Sequence, residues 1–194
     1  MSDEEEQYDY YFAEDLLSSF SQRFKMDDAI SNFISLVKQK QAGKIESAAE
    51  QVLGKYSQEL SKALVESAKE PFERTGQLIY QVAEKTGVKF PSIPQRLVEL
   101  GFMSTRPQDR LVVPISTLTM LSLRVTTCAA YTELKNKLGE RMARDLPCKY
   151  GCLASSKSLF DQLGIATHSK TEAVVNEKGY CEFSFELQEG EEEE

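Results

Sequence analysis

The sequence predicts an α+β protein, with a helical N-terminal half followed by an antiparallel sheet in β-α-α-β-β order. Three observations predict it. Apolar residues recur every three or four positions through the first half of the chain. The period drops to two in Leu121-Ser122-Leu123-Arg124-Val125-Thr126 and again from Cys181 to Leu187. Between those two stretches, helical spacing returns twice.

The elements follow in order. Phe12, Leu16, Phe20 and Phe24 repeat every four residues, with Leu17 beside them. Asp27 or Asp28 suits the cap of a second helix, whose inner face is Ile30, Phe33, Ile34 and Val37. Gly43 interrupts. A long stripe then runs through Ile45, Ala49, Val52, Leu53, Tyr56, Leu60, Ala63 and Leu64, and Pro71 stops or kinks it. Phe72, Ile79, Val82 and Ala83 form the face of a further helix that Gly87 can terminate. From Lys89 to Pro114 four prolines and Gly101 predict a loop-rich connector with one short helix, Gln95 to Leu100, and a strand in Arg110-Leu-Val-Val-Pro. Cys128 closes the first alternating strand. A helix from about Ala130 to Arg144 turns Tyr131, Leu134, Leu138 and Met142 inward, and Pro147 breaks it. Cys148 to Cys152 form a turn into another helix, carrying Leu153, Leu159, Phe160 and Leu163 to Gly164. Glu172 to Asn176 reads as a strand, Glu177-Lys178-Gly179 as a turn, and Cys181 to Leu187 as a strand with Cys181, Phe183, Phe185 and Leu187 on one face.

These elements divide the chain into an acidic tail, 1–7, a helical region, 8–87, a connector, 88–114, a cysteine-bearing α+β segment, 115–188, and a second acidic tail, 189–194. The formal charge of −8 comes from the ends. Residues 1–6 hold four acids and 189–194 hold five; without these nine, 22 acids face 23 bases. The tails read as solvated and disordered. The stretch from Lys85 to Lys149, with eleven bases and five acids, is basic but carries no interleaved aromatics and no nucleic-acid motif, so nucleic acid is not expected as a partner. No run of 18 apolar residues predicts a membrane span, and the acidic start lacks the basic and apolar regions of a secretory signal. The expected location is cytoplasmic, and a homodimer is left open.

All four cysteines lie between residues 128 and 181, separated by nineteen, three and twenty-eight residues. Each falls at the edge of a predicted element, where distant parts of a chain can meet. Cys128, Cys148, Cys152 and Cys181 together could bind zinc or hold an iron–sulfur cluster. Against this stands the ordinary use of cysteine as a small buried hydrophobe, which fits Cys181 well. Cys148 has a separate claim as a catalytic nucleophile: it follows Pro147 near a predicted helix start, between Arg144 and Lys149, and both features lower a thiol pKa. The one histidine, His168, falls in a polar stretch read as loop. No serine triad, phosphate loop or dinucleotide fingerprint is present.

The strand ending "RVTTC", the following helix, "CKYGC" with its helix, and the ending "NEKGYCEFSFEL" are similar to the vinyl-4-reductase domain. They also resemble L-2-amino-thiazoline-4-carboxylic acid hydrolase-like proteins. The resemblance covers about residues 115–187. It implies an α+β domain that binds a small molecule between helices and sheet. It also implies Cys148, Cys152 and Cys181 as zinc ligands and Gly179 as the hairpin-turn glycine.

Three functions follow as expectations. The first is a small-molecule or metal-binding, sensor-like domain with a cysteine site. The second is a hydrolase or reductase using Cys148 or a bound metal. The third is a helical interaction module whose cysteines are structural.

Overall fold

A computed structural model describes residues 14–40, 45–67 and 74–188. The acidic tails, Phe12, Gly43, Pro71 and Phe72 lie outside these residues. The N-terminal half is helical: α1 (Glu14–Arg23), α2 (Met26–Lys40), α3 (Ile45–Ala49), a π-helical turn (Glu50–Gly54), α4 (Lys55–Ser67), α5 (Arg74–Thr86) and α6 (Ser92–Thr105). Strands β1 (Arg110–Ser116) and β2 (Met120–Thr127) follow, then α7 (Ala129–Leu138), α8 (Glu140–Arg144), a 3-10 turn (Cys148–Tyr150) and α9 (Cys152–Gln162). The chain closes with β3 (Thr167–Ala173), the short α10 (Val175–Lys178) and β4 (Cys181–Leu187).

The α+β class is as predicted. The sheet has four antiparallel strands in the order β1-β2-β4-β3. Alternation sends Leu121, Leu123 and Val125 of β2, with Cys181, Phe183 and Phe185 of β4, to the helical side, where all six are buried. The opposite face carries a polar network, beside Val112 and Ile115 of β1. There Arg124 binds Glu182 at 2.7 Å, Ser122 donates to Glu182 at 3.0 Å, and Ser184 donates to Glu172 at 2.6 Å. Phe160 of α9 anchors the helical layer on the sheet, with its ring 4.7 Å from that of Phe185.

Several expectations need correction. The connector is not mainly loop: α6 runs for fourteen residues through Pro94. Pro94 is the third residue of the helix, where a backbone N–H has no intrahelical acceptor to lose. Asp27 and Asp28 lie in the first turn of α2 rather than capping it. The helix expected from Ala130 to Arg144 breaks at Gly139, whose φ of 84° a residue with a side chain rarely adopts. Val82 is 50% exposed, whereas its neighbour Ala83 is buried. The strand expected at Glu172 to Asn176 is shifted: β3 ends at Ala173, and Val175 onward is helical. With β1 ahead of β2 and four helical segments between β2 and β3, the order is not the simple β-α-α-β-β.

Helices α4 and α9 pack closely through small residues. Ser57 of α4 donates to the carbonyls of Tyr150 and Gly151 at 3.0 and 3.1 Å, and Ser61 donates to that of Ser155 at 2.7 Å. This packing fixes the start of α9, and therefore Cys152, against the helical half.

Candidate functional site around Arg106

Arg106 follows α6 and caps its end, its N–H donating to the carbonyl of Phe102 at 2.8 Å. The residue is only 7% exposed. A charge taken out of water to that extent needs partners. Asp109 is the first: its carboxylate Oδ2 forms an ion pair with Arg106 Nη2, and its side chain is 1% exposed. The other carboxylate oxygen accepts from the backbone N–H of Ala129 at 2.7 Å, tying the α6–β1 turn to the start of α7.

The remaining partners are cysteines. Arg106 Nη1 donates to Cys152 Sγ at 2.8 Å, and Nη2 donates to Cys128 Sγ at 3.1 Å. Cys128 caps α7, its sulfur accepting from the N–H of Tyr131 at 3.3 Å. One guanidinium thus joins the first residue of α9 to the residue between β2 and α7. The group also lies over the ring of Phe102, 4.8 Å from its centroid. Its Nε is buried with no hydrogen-bond partner.

Electrostatics follow from this packing. Burial alone would lower the pKa of Arg106, but Cys152, Cys128 and Asp109 outweigh it and hold the guanidinium charged. Burial pushes the Cys128 thiol up, against the pull of Arg106. Cys148 is pushed up to about 12, first by burial and then by the charges of Cys181, Cys152 and Cys128. Burial, followed by Cys152, pushes Cys181 up to about 11. Cys128 and Cys152 meet at Arg106, and both line one cavity with Cys148. Cys181 stands opposite Val125 in the sheet, three residues before Cys128, on the same rim.

The four do not make a ligand set as they stand. Among the described residues no group of three or more His, Cys, Asp or Glu is placed to hold a metal ion. Two of the sulfurs instead face a fixed cation, a poor neighbour for zinc or an iron–sulfur cluster. The cysteines are all free thiols. The expected activation of Cys148 is also absent. The residue sits in the 3-10 turn, four positions ahead of α9, and burial favours its neutral form. His168 belongs to β3, not a loop, and is exposed. It pairs with Glu186, one position out of step with the inward residues Phe185 and Leu187, so it lies on the sheet face away from the cysteines.

Three of the cysteines and Arg106 form part of the wall of a cavity of about 100 Å³. Cys128, Cys148 and Cys152 line it, as does Arg106, and most of the remaining wall is apolar, including Ile30, Leu60, Leu134 and Leu159. The cavity lies among α2, α4, α6, α7 and α9, within the helical layer beside the sheet rim. Cys181 does not line it.

Sequence reasoning missed Arg106 and Asp109. An arginine three residues before an aspartate in a proline-containing turn is an ordinary surface pattern. Nothing in "STRPQDR" marks burial, which comes from the three elements that close over it. Comparison with protein-family models, curated proteins and solved structures finds no match.

Proposed function

We propose that the protein is a small-molecule-binding domain whose ligand occupies the cavity beside Arg106. The observation that carries this reading is the join of an apolar hollow with one buried, charged, incompletely partnered group. Ligand sites have this composition: mostly apolar walls and a few placed polar groups that set orientation. The volume of about 100 Å³ sets the scale. An apolar cavity of about 150 Å³ admits benzene. The ligand is therefore small, no larger than about six non-hydrogen atoms.

Catalysis by Cys148 receives little support from the same geometry. Nucleophilic cysteine chemistry needs the thiolate, and this thiol is held neutral, with the sole histidine on the far face of the sheet. A four-cysteine metal centre would require Arg106 to leave both Cys128 and Cys152.

An NMR titration of the full chain with small ketones and hydrocarbons tests the reading. Saturable shifts should gather at the amides of Leu60, Leu134 and Leu159, and Ala130→Phe, which places a ring in the cavity wall, should abolish them. Shifts scattered over the surface, or shifts unchanged in Ala130→Phe, would contradict it.

A further inference from the structure

We infer that the ligand is a neutral molecule with a hydrogen-bond-accepting oxygen, a carbonyl compound rather than a carboxylate or a plain hydrocarbon, and that Arg106 recognises that oxygen. This rests on the reading of the cavity as a ligand site.

Two observations carry it. The first is the supply of donors. Arg106 is 7% exposed and lines the cavity, yet its Nε has no hydrogen-bond partner. Its other partners are one carboxylate oxygen and two sulfurs. Sulfur is a weak acceptor, so an oxygen from a ligand can outcompete either thiol for its N–H. Three hydroxyls in the wall are already engaged: Tyr56 donates to the carbonyl of Phe24, Ser57 to those of Tyr150 and Gly151, and Thr105 to that of Gly101. Among the described residues, the guanidinium Nε is the one fully buried side-chain donor of the wall without a partner.

The second observation is the charge balance. Asp109, with its side chain 1% exposed, already matches the charge of Arg106. A carboxylate ligand would add a negative charge that nothing in the wall offsets. The rest of the wall is thiol, hydroxyl and hydrocarbon, and any thiolate among the cysteines would add to the excess. Burying an unmatched charge is far more costly than burying a hydrogen-bonded carbonyl. A hydrocarbon fits the walls but leaves Nε–H without an acceptor. A ketone, aldehyde or ester meets both conditions.

Three isosteric probes separate these classes: 3-methylbutan-2-one, isobutyrate and 2,3-dimethylbut-1-ene. They share size and branching, and differ in presenting a carbonyl, a carboxylate or a carbon–carbon double bond. Binding is read by NMR titration of the full chain at the cavity-lining amides and at the Arg106 Nε–H. The ketone should bind more tightly than the alkene by on the order of five-fold, the worth of one hydrogen bond. Isobutyrate should be the weakest of the three. The Nε–H resonance should move with the ketone alone. In Arg106→Met/Asp109→Asn, which removes both charges together, ketone and alkene should bind equally. If that variant fails to fold, the wild-type series still decides. Tightest binding by isobutyrate, or equal binding of ketone and alkene by wild type, would overturn the inference while leaving the cavity as a ligand site. Binding of none of the three would overturn both.

Discussion

Arg106 and Asp109 act as a pair because neither can be buried alone. Asp109→Asn keeps an oxygen for the N–H of Ala129 but strips the guanidinium of its counter-charge. Breaking one side of a buried pair costs about 3–5 kcal/mol. Urea denaturation of Asp109→Asn should show a loss in that range. The double variant Arg106→Met/Asp109→Asn should lose less than the sum of the two single changes, since no lone charge remains. Additive losses would show that the pair is not coupled. The thiols make a second prediction at this scale. Cys148 and Cys181 rise from an ordinary 9.0 to about 12 and about 11 on folding. The folded state therefore favours the neutral thiol, while the unfolded chain ionises from about pH 9 upward. Their contribution to stability is complete below pH 9 and is lost as pH rises toward 11 and 12. The alkaline loss should be shallower in Cys148→Ala/Cys181→Ala than in wild type. Parallel pH profiles would show that these thiols are not buried as described.

At the scale of elements, α4 does the most to join the two halves of the chain. One part of it, Leu60 and Leu64, enters the core, and another, Ser57 and Ser61, meets α9. Leu60 is 6% exposed and lines the cavity. Leu60→Ala should cost on the order of 2–5 kcal/mol, with the lower end expected because one side of Leu60 already faces a hollow rather than packed atoms. A change below about 0.5 kcal/mol in thermal or chemical denaturation would place Leu60 outside the core. This helix was legible in the sequence, since the stripe through Tyr56, Leu60 and Leu64 has the period of a buried helical face. Strands β2 and β4 were legible for the same reason at period two. α6 was obscured because Pro94, Gly101 and Pro107 read as punctuation, although a proline in the first turn disrupts nothing. β3 lies ahead of the strand expected from the sequence because Thr-His-Ser-Lys-Thr-Glu contains no apolar residue at all. Its strand conformation comes from pairing with β4, which a local pattern does not record.

Over the whole molecule, the helical layer covers one face of the sheet and the other face is closed by its own polar pairs. Arg124–Glu182 and Lys170–Glu172, with Ser122 and Ser184 between them, form a polar network on that face, beside Val112 and Ile115 of β1. The two halves of the chain meet at the sheet rim, and the cavity lies at that junction, with walls from α2, α4 and α6 on one side and α7 and α9 on the other. That Cys128, Cys148 and Cys152 stand at element edges, where segments of the chain meet, was visible in the sequence. Their centre was not. It is a guanidinium supplied by the helical half, from a turn whose burial depends on the assembled fold. We propose that Cys128, Cys148 and Cys152 belong to the wall of a ligand cavity rather than to a metal centre. The most direct test is elemental analysis of the full-length protein purified without oxygen and without added metal, paired with a thiol count after denaturation. The account predicts zinc and iron far below one atom per chain, with all four thiols titratable. One zinc per chain, or a coloured preparation containing stoichiometric iron and sulfide, would contradict it.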